Sequence, residues 1–355
     1  MVLGYYGDKY GRKISLSISV LLMAVSTCLI GCLPTYSYIG VFASVLLTVC
    51  RLIQGFAIGG EFTISVTYMI EHAPIKKRGF YGSLTMLGNF LGLLLGSFTI
   101  AALEGIISSA ELLDYGWRIP FVLSLFLGII GLFMRIKLPE TPDFITLSEN
   151  KIIAENPILL TVRKYYLNLF IAIGIVCLGA ASFTLWFVWL PSYLKLHSTI
   201  AASKILLANS LNLLAIIILI PIIGLLSDKF GKKIILSIAA LGTMILVMPL
   251  LMLMNQFTFI AVYLSQLGLA ILASCAYGVV PITLFELFPA QVRCSGVSAS
   301  YNIANMLFGG TIPLLASLIL LKTSNMMYQG MIIVLAAAIM LSLLSKVSIE
   351  EIGAG

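Results

Sequence analysis

Gly4-Tyr-Tyr-Gly-Asp8-Lys9-Tyr10-Gly11-Arg12-Lys13 returns 220 residues later as Gly224-Leu-Leu-Ser-Asp228-Lys229-Phe230-Gly231-Lys232-Lys233. Both stretches read G-x3-D-K-aromatic-G-basic-Lys. A second pair, Glu71-His-Ala-Pro74-Ile-Lys-Lys-Arg78 and Glu286-Leu-Phe-Pro289-Ala-Gln-Val-Arg293, reads E-x2-P-x3-R at an offset of 215. Two motifs recurring in register at nearly equal offsets mark an internal duplication, and self-similarity of this kind decides the architecture before any single element does.

Each motif joins long apolar runs. Of the 355 residues, 60% are hydrophobic and 10% charged, and the mean hydropathy is +1.10. A soluble domain carries about 25% charged residues, so a cytosolic enzyme, a disordered protein and a nucleic-acid binder are excluded. Spanning helices need roughly 20 apolar residues, which predicts ten: 14–33, 39–70, 79–103, 119–134, 168–194, 205–226, 234–254, 257–285, 295–321 and 328–345. The fold class expected is all-α, a polytopic membrane helix bundle. Of the 21 Lys and Arg residues, sixteen fall in loops on one side, four on the other, and Arg51 lies within a span. By the positive-inside rule the richer side is cytoplasmic, with both termini there. The net charge of +7 is therefore topological. No basic n-region of a signal peptide precedes the first span.

The duplication also counts the helices. Two spans precede the second copy of the glycine–aspartate motif and four follow it, whereas four follow the first copy and none precedes it. The sequence therefore reads as a twelve-span protein without its first two spans. The motif chemistry suits tight turns: glycine permits a sharp reversal, Asp accepts from the amino terminus of the helix that follows, and the basic pair holds carboxylates at neighbouring helix ends. Two readings stand side by side. Asp8, Lys9, Arg12, Lys13, Glu71, Arg78, Asp228, Lys229, Lys232, Lys233, Glu286 and Arg293 form a cytoplasmic charge latch that gates two conformations, or they mark helix ends and orientation. Glu71 is expected to pair with Arg78, and Glu286 with Arg293.

These motifs, with Arg51-x2-Gln54-Gly55-x3-Gly59-Gly60-Glu61, Gly116-Trp117-Arg118-Ile-Pro120-Phe121, Glu140-Thr141-Pro142-x-Phe144 and Gly309-Gly310-Thr311-x-Pro313, resemble the metabolite–proton symporters of the major facilitator superfamily. The likeness runs from Gly4 to about Lys346. It implies the major facilitator fold, with residues 1–137 as the amino-terminal half, 138–167 as a central cytoplasmic loop, 168–347 as the carboxy-terminal half and 348–355 as a short tail. It implies a plasma-membrane secondary transporter that imports a small zwitterionic osmolyte such as proline or betaine with protons by alternating access. A dicarboxylate or tricarboxylate substrate is an alternative, and an inactive remnant or a membrane scaffold or sensor is another. An enzyme is not expected, for no HExxH, nucleophile elbow or paired intramembrane acids occur. The partners implied are a small-molecule substrate, protons and the lipid bilayer. No cofactor is expected beyond the proton gradient, and no nucleic acid; a monomer is the expectation. The fifth family helix carries Gly88-x3-Gly92-x3-Gly96 without proline, unlike drug–proton antiporters, and this ladder predicts close helix packing.

Arg51 and Glu61 are the ionised residues well inside a span. Each costs roughly 2.5–3.5 kcal/mol at a bilayer centre unless it faces protein or water. Arg51 suits a substrate carboxylate or the tuning of a proton-carrying acid; equally, it suits a structural pairing with backbone or Gln54. Glu61 suits a proton relay or the inner charge network. Phe183, Trp186, Trp189 and Tyr193 offer faces for a quaternary ammonium group or form an interfacial belt. Tyr277, Asn302 and Asn305 complete the candidate pathway. Cys28, Cys32, Cys50, Cys177, Cys275 and Cys294 show no CxxC spacing, and His72 and His197 lie far apart, so neither a metal site nor a disulfide is expected.

Overall fold

A computed structural model describes residues 1–323 and 325–346; residue 347 and the tail expected at 348–355 lie outside the described residues. All regular elements among the described residues are helical, and ten helices are long and apolar enough to cross a membrane. They run over Arg12–Cys32, Val41–Glu71, Ile75–Ile106, Leu112–Lys137, Tyr166–His197, Ala202–Phe230, Lys232–Met254, Phe259–Leu287, Arg293–Thr323 and Met327–Leu344. The chain is an integral, multi-pass membrane protein.

Local chemistry sets where the observed ends depart from expectation. The run expected from 39 breaks at Gly40, whose φ of +55° interrupts the helix before Val41. The helix expected from 257 starts at Phe259, because the Thr258 hydroxyl accepts from the Ala261 N–H at 3.2 Å, an N-cap. Gly11 (φ +109°) and Gly231 (φ +94°) separate consecutive helices inside the repeated motif, where a side chain would be strained. The stretch expected as a central loop holds two short helices, Pro142–Glu149 and Pro157–Lys164. Both open on proline, whose missing N–H is unneeded there.

Contacts gather the chain into two compact units that interleave along the sequence. One comprises Met1–His72, Gly92–Thr161 and Ala290–Ser298; the other comprises Ala73–Leu91, Val162–Pro289 and Ala299 onwards. In the first, the Arg12–Cys32 helix packs against Val41–Glu71 and Arg118–Lys137. A Cβ at Gly31 would stand 2.8 Å from the Phe121 Cβ, so small residues bring these backbones together, as dispersion packing in lipid requires. In the second, Phe259–Leu287 is the most enclosed span, packed on Ala202–Phe230 and Lys232–Met254, while Tyr166–Phe183 packs on Met327–Leu344. The glycine ladder does not behave as expected. A Cβ at Gly88, Gly92 or Gly96 meets nothing within 4 Å among the described residues, because beyond Phe90 this helix is mostly exposed.

Two helices depart from α-geometry inside the second unit. Thr184–Trp189 and Asn305–Gly310 are π-turns, wound one residue wider than the flanking α-helix, a feature frequent at functional sites. Gly309 lies against Thr184: a Cβ there would be 3.6 Å from the Thr184 hydroxyl.

Candidate functional site

The repeated motifs build two corresponding caps, one in each unit. In the first unit, Asp8 accepts the backbone N–H groups of Cys294 (3.0 Å) and Ser295 (2.8 Å). In the second, Asp228 accepts those of Gly79 (2.7 Å) and Phe80 (2.9 Å). Residues 294 and 295 lie 215 after 79 and 80, and Asp228 lies 220 after Asp8, so the two caps are copies. Each Asp satisfies orphan N–H groups at a helix amino terminus, where the dipole favours a negative charge.

This corrects the expectation that each Asp would cap the helix following it: each caps a helix from the other sequence half. The helix after Asp8 is capped instead by Glu140, which accepts from the N–H of Arg12 (3.0 Å) and of Lys13 (3.2 Å). The leading glycines explain themselves in this geometry. A Cβ at Gly4 would lie 2.7 Å from the Cys294 carbonyl oxygen and 2.9 Å from the Ser298 Cβ. One at Gly224 would lie 2.9 Å from the Gly79 carbonyl oxygen and 2.8 Å from the Ser83 Cβ. Ser83 and Ser298 are themselves 215 apart, so the match extends to single contacts.

Charge completes the first cap. Arg12 is fully buried. Its guanidinium donates to the Ala290 carbonyl at 2.8 Å, to the Gly7 carbonyl at 3.2 Å and to Glu71 at 3.3 Å. Its carbon lies 5.1 Å over the Phe144 ring. Glu71 also takes Arg293 at 2.8 Å, and Arg293 reaches Asp143 at 2.6 Å. Burial drives the Asp8 carboxyl up to about 6, against the opposing pull of Arg12 and the Ser295 and Cys294 N–H groups. Neither expected pair forms an ion pair among the described residues. Glu71 holds Arg12 and Arg293 rather than Arg78; Glu286 holds Lys232 rather than Arg293. Arg78 lies 5.3 Å over the Phe285 ring. Lys9 donates to the Tyr5 hydroxyl at 2.7 Å, Lys229 lies over Phe230, and Lys13 joins the cluster through its backbone. In the sequence Glu140 and Phe144 stand out only for their likeness to a family motif, and Asp143 falls at its variable position; their part in the cluster is visible once the chain returns to it.

The mid-span candidates fall into both units. Arg51, exposed on its helix, donates to Gln54 Oε1 at 3.2 Å, and Gln54 Nε2 donates to the Thr27 hydroxyl at 2.6 Å. Glu61 pairs with Arg135 at 2.8 Å, with about a quarter of each side chain exposed. In the second unit Trp186 is fully buried, and its indole N–H finds no partner among the described residues. Trp189 donates to the Ser317 hydroxyl at 2.9 Å and stacks on Tyr193, which stacks on His197; these rings line a groove of about 480 Å³. The Tyr277 hydroxyl donates to the Gly179 carbonyl at 2.8 Å, its ring 5.0 Å from Phe90. Asn302 is half-buried, and Asn305 opens the second π-turn, donating to the Tyr301 carbonyl at 2.9 Å. Sequence reading missed Gln266, Asn209 and Asn212, three amides hydrogen-bonded within the second unit. Neutral amides in apolar runs leave no periodic signal.

The family model described as Major Facilitator Superfamily matches residues 1–313. The chain is 33% identical over 331 residues to the proline/betaine transporter of Escherichia coli, covering 91% of this chain and 66% of that one. It is 36% identical over 344 residues to the ectoine/proline transporter of Corynebacterium glutamicum, covering 91% and 67%. The chain thus spans about two thirds of the length of these relatives. Among solved structures, the proton:xylose symporter XylE bound to 6-bromo-6-deoxy-D-glucose superposes with a TM-score of 0.83 at 19% identity, over 99% of this chain and 84% of that one. The outward conformation of FucP gives 0.72 at 14% identity, over 98% and 86%. At these identities the likeness is one of fold.

Proposed function

Because the chain belongs to the major facilitator superfamily, we propose that it is a secondary transporter importing a small zwitterionic osmolyte, of the proline or betaine type, with protons. The curated relatives, named for proline, betaine and ectoine, support the substrate class. The membrane would be the plasma membrane, with the basic ends and both termini cytoplasmic, as the sixteen-to-four distribution of Lys and Arg supports. The proton gradient supplies the energy, and no cofactor takes part.

The observation that carries this reading is the pair of corresponding caps. Each holds a helix of the other sequence half through two N–H bonds on one carboxylate and close glycine contacts. Such a junction can part and re-form without breaking a helix, which is what alternating access demands of a gate. Asp8, Arg12, Glu71 and Arg293 gate one copy, and Asp228, Lys232, Glu286 and Arg78 the other, with Lys9, Lys13, Lys229 and Lys233 as flanking charges. Arg51, aligned by Gln54, supplies the mid-span positive charge of the pathway. Glu61 carries the exchangeable proton, released to it when Arg135 moves away, and Trp186, Tyr277, Asn302 and Asn305 line the route.

Uptake of labelled proline and betaine into proteoliposomes, with an imposed proton gradient and then with an uncoupler, tests the reading. Accumulation that collapses with the uncoupler is the expected result; accumulation indifferent to it would overturn proton symport.

A further inference from the structure

The first π-turn leaves one backbone carbonyl without its helical partner. In an α-helix the Trp186 carbonyl would accept from the N–H of Leu190. Here the Leu190 N–H goes to the Leu185 carbonyl, and the next residue able to serve, Pro191, has no N–H. Gln266, buried on the Phe259–Leu287 helix, fills the gap: its Nε2 donates to the Trp186 carbonyl at 2.9 Å and to Asn209 Oδ1 at 2.8 Å. Its Oε1 accepts from Asn212 Nδ2 at 3.1 Å, and that nitrogen also reaches the Tyr263 carbonyl at 3.4 Å.

The direction of this chain is fixed by chemistry. Backbone carbonyls only accept, so Gln266 must turn its nitrogen to Trp186 and Asn212 its nitrogen to Tyr263. The second N–H of Gln266 then requires an acceptor, which is Asn209 Oδ1. Asn209 is thereby obliged to turn its NH2 outward, and that group donates to none of the described residues. It lies about 10 Å into the Ala202–Phe230 helix at 1.5 Å per residue, half-buried beside the fully buried Ala208 and Asn212. This nitrogen is not among the buried unpartnered atoms, so its two oriented N–H donors are open to an arriving acceptor.

We propose that the Asn209 NH2 binds a carboxylate of the transported solute, with Gln266 as the residue that positions it. Donors without acceptors select an anionic oxygen and reject a bare cation, and a hydrogen bond to a charged partner is about twice as strong as one between neutral groups. This rests on the transport reading above.

The test is equilibrium binding of glycine betaine and of choline, the same quaternary ammonium without the carboxylate, to purified protein in lipid nanodiscs. Wild type is expected to prefer betaine. Asn209→Asp turns an anion toward the solute carboxylate and should lower betaine affinity roughly ten- to hundredfold, with choline binding unchanged or strengthened. Asn209→Ala, which removes the donors without adding charge, should lower betaine affinity and leave choline unchanged. Gln266→Met, read by the same betaine-to-choline ratio, should erode the preference, whereas a purely structural loss lowers both ligands together. Both Asn209 variants retaining the wild-type ratio would overturn the assignment, as would a wild-type protein that does not prefer betaine. The transport reading stands or falls separately, on gradient-driven uptake by wild type.

Discussion

Asp8 Oδ2 lies 2.8 Å from the backbone nitrogen of Ser295, a residue 287 positions further along the chain. Asp228 repeats the relationship with Phe80, at 2.9 Å across 148 positions. One carboxylate in each copy of the duplication therefore ties down a helix belonging to the other copy. Because the tie is a cap and not a covalent link, its strength is that of an N-cap, about 0.5–2 kcal/mol, small enough for the binding of a ligand to offset.

Loss of the cap should expose the helix it holds. Cys294 is fully buried beneath Gly4 and Gly7, so its thiol reports opening. Asp8→Ala should raise the rate of Cys294 alkylation by roughly five- to thirtyfold, the equivalent of 1–2 kcal/mol, as followed by mass spectrometry of the peptide that contains it. An unchanged rate would mean that Asp8 does not hold the junction.

Acidification should favour the closed cap. The Asp8 carboxyl titrates at about 6 when buried, because burial disfavours its charge, against an ordinary value of 3.8. The closed state therefore holds a proton more tightly than the open one. The burial penalty on the charge is full above pH 6, shrinks as pH falls toward 4 and vanishes below both values, so closure strengthens on acidification by up to about tenfold per pH unit in that window. Amide hydrogen exchange of residues 293–298, corrected for its intrinsic pH dependence, should show rising protection from pH 7 to pH 5. Asp8→Asn should flatten the response, since the variant has nothing to titrate; a sloping response in that variant would assign the effect elsewhere.

The spans, the duplication and the charged residues that the repeated motifs bring together were legible in the sequence, because apolar runs and repeated Gly, Asp, Glu and Arg are local signals. The partners were not. Reading Glu71 with Arg78 follows proximity along the chain, yet Glu71 meets Arg12 and Arg293. A duplicated pair of motifs permits this exchange, but it does not state which copy answers which. The π-turns were illegible for another reason. Thr184–Trp189 differs from an α-turn by one hydrogen bond, and the hint in Trp186-x4-Pro191 acquires meaning only when Gln266 arrives from 80 residues away.

Glycine substitutions should separate positions that look alike in sequence. A Cβ at Gly224 would meet the Gly79 carbonyl oxygen at 2.9 Å, and backbone on both sides cannot yield cheaply. Gly224→Ala should destabilise by about 1–3 kcal/mol. At Gly88 nothing lies within 4 Å among the described residues, and Ala there should stabilise by up to about 1 kcal/mol through helix propensity. Thermal unfolding in detergent followed by fluorescence should move in opposite directions for the two variants. Destabilisation by Gly88→Ala would show that the ladder is a packing surface after all.

Arg51 and Glu61 share a helix but make different contacts, and variants can tell their proposed roles apart. Among the described residues Arg51 bonds to Gln54 alone and stays exposed, so Arg51→Ala removes a charge without orphaning a buried one. The protein should fold normally while gradient-driven uptake drops by an order of magnitude or more, about 1.4 kcal/mol or above on the transport barrier. Glu61 is different, because its loss frees Arg135, which also donates to the Leu16 carbonyl at 2.9 Å. Glu61→Gln keeps the shape and a hydrogen-bond acceptor for Arg135 but cannot exchange a proton. It should bind solute with near wild-type affinity and exchange it across the membrane, yet fail to accumulate it against a gradient. Measuring counterflow beside gradient-driven uptake distinguishes the two residues: Arg51→Ala depresses both, and Glu61→Gln only the second. If Glu61→Gln still accumulates solute with protons, the exchangeable proton resides on another group, and the Glu61–Arg135 pair is structural.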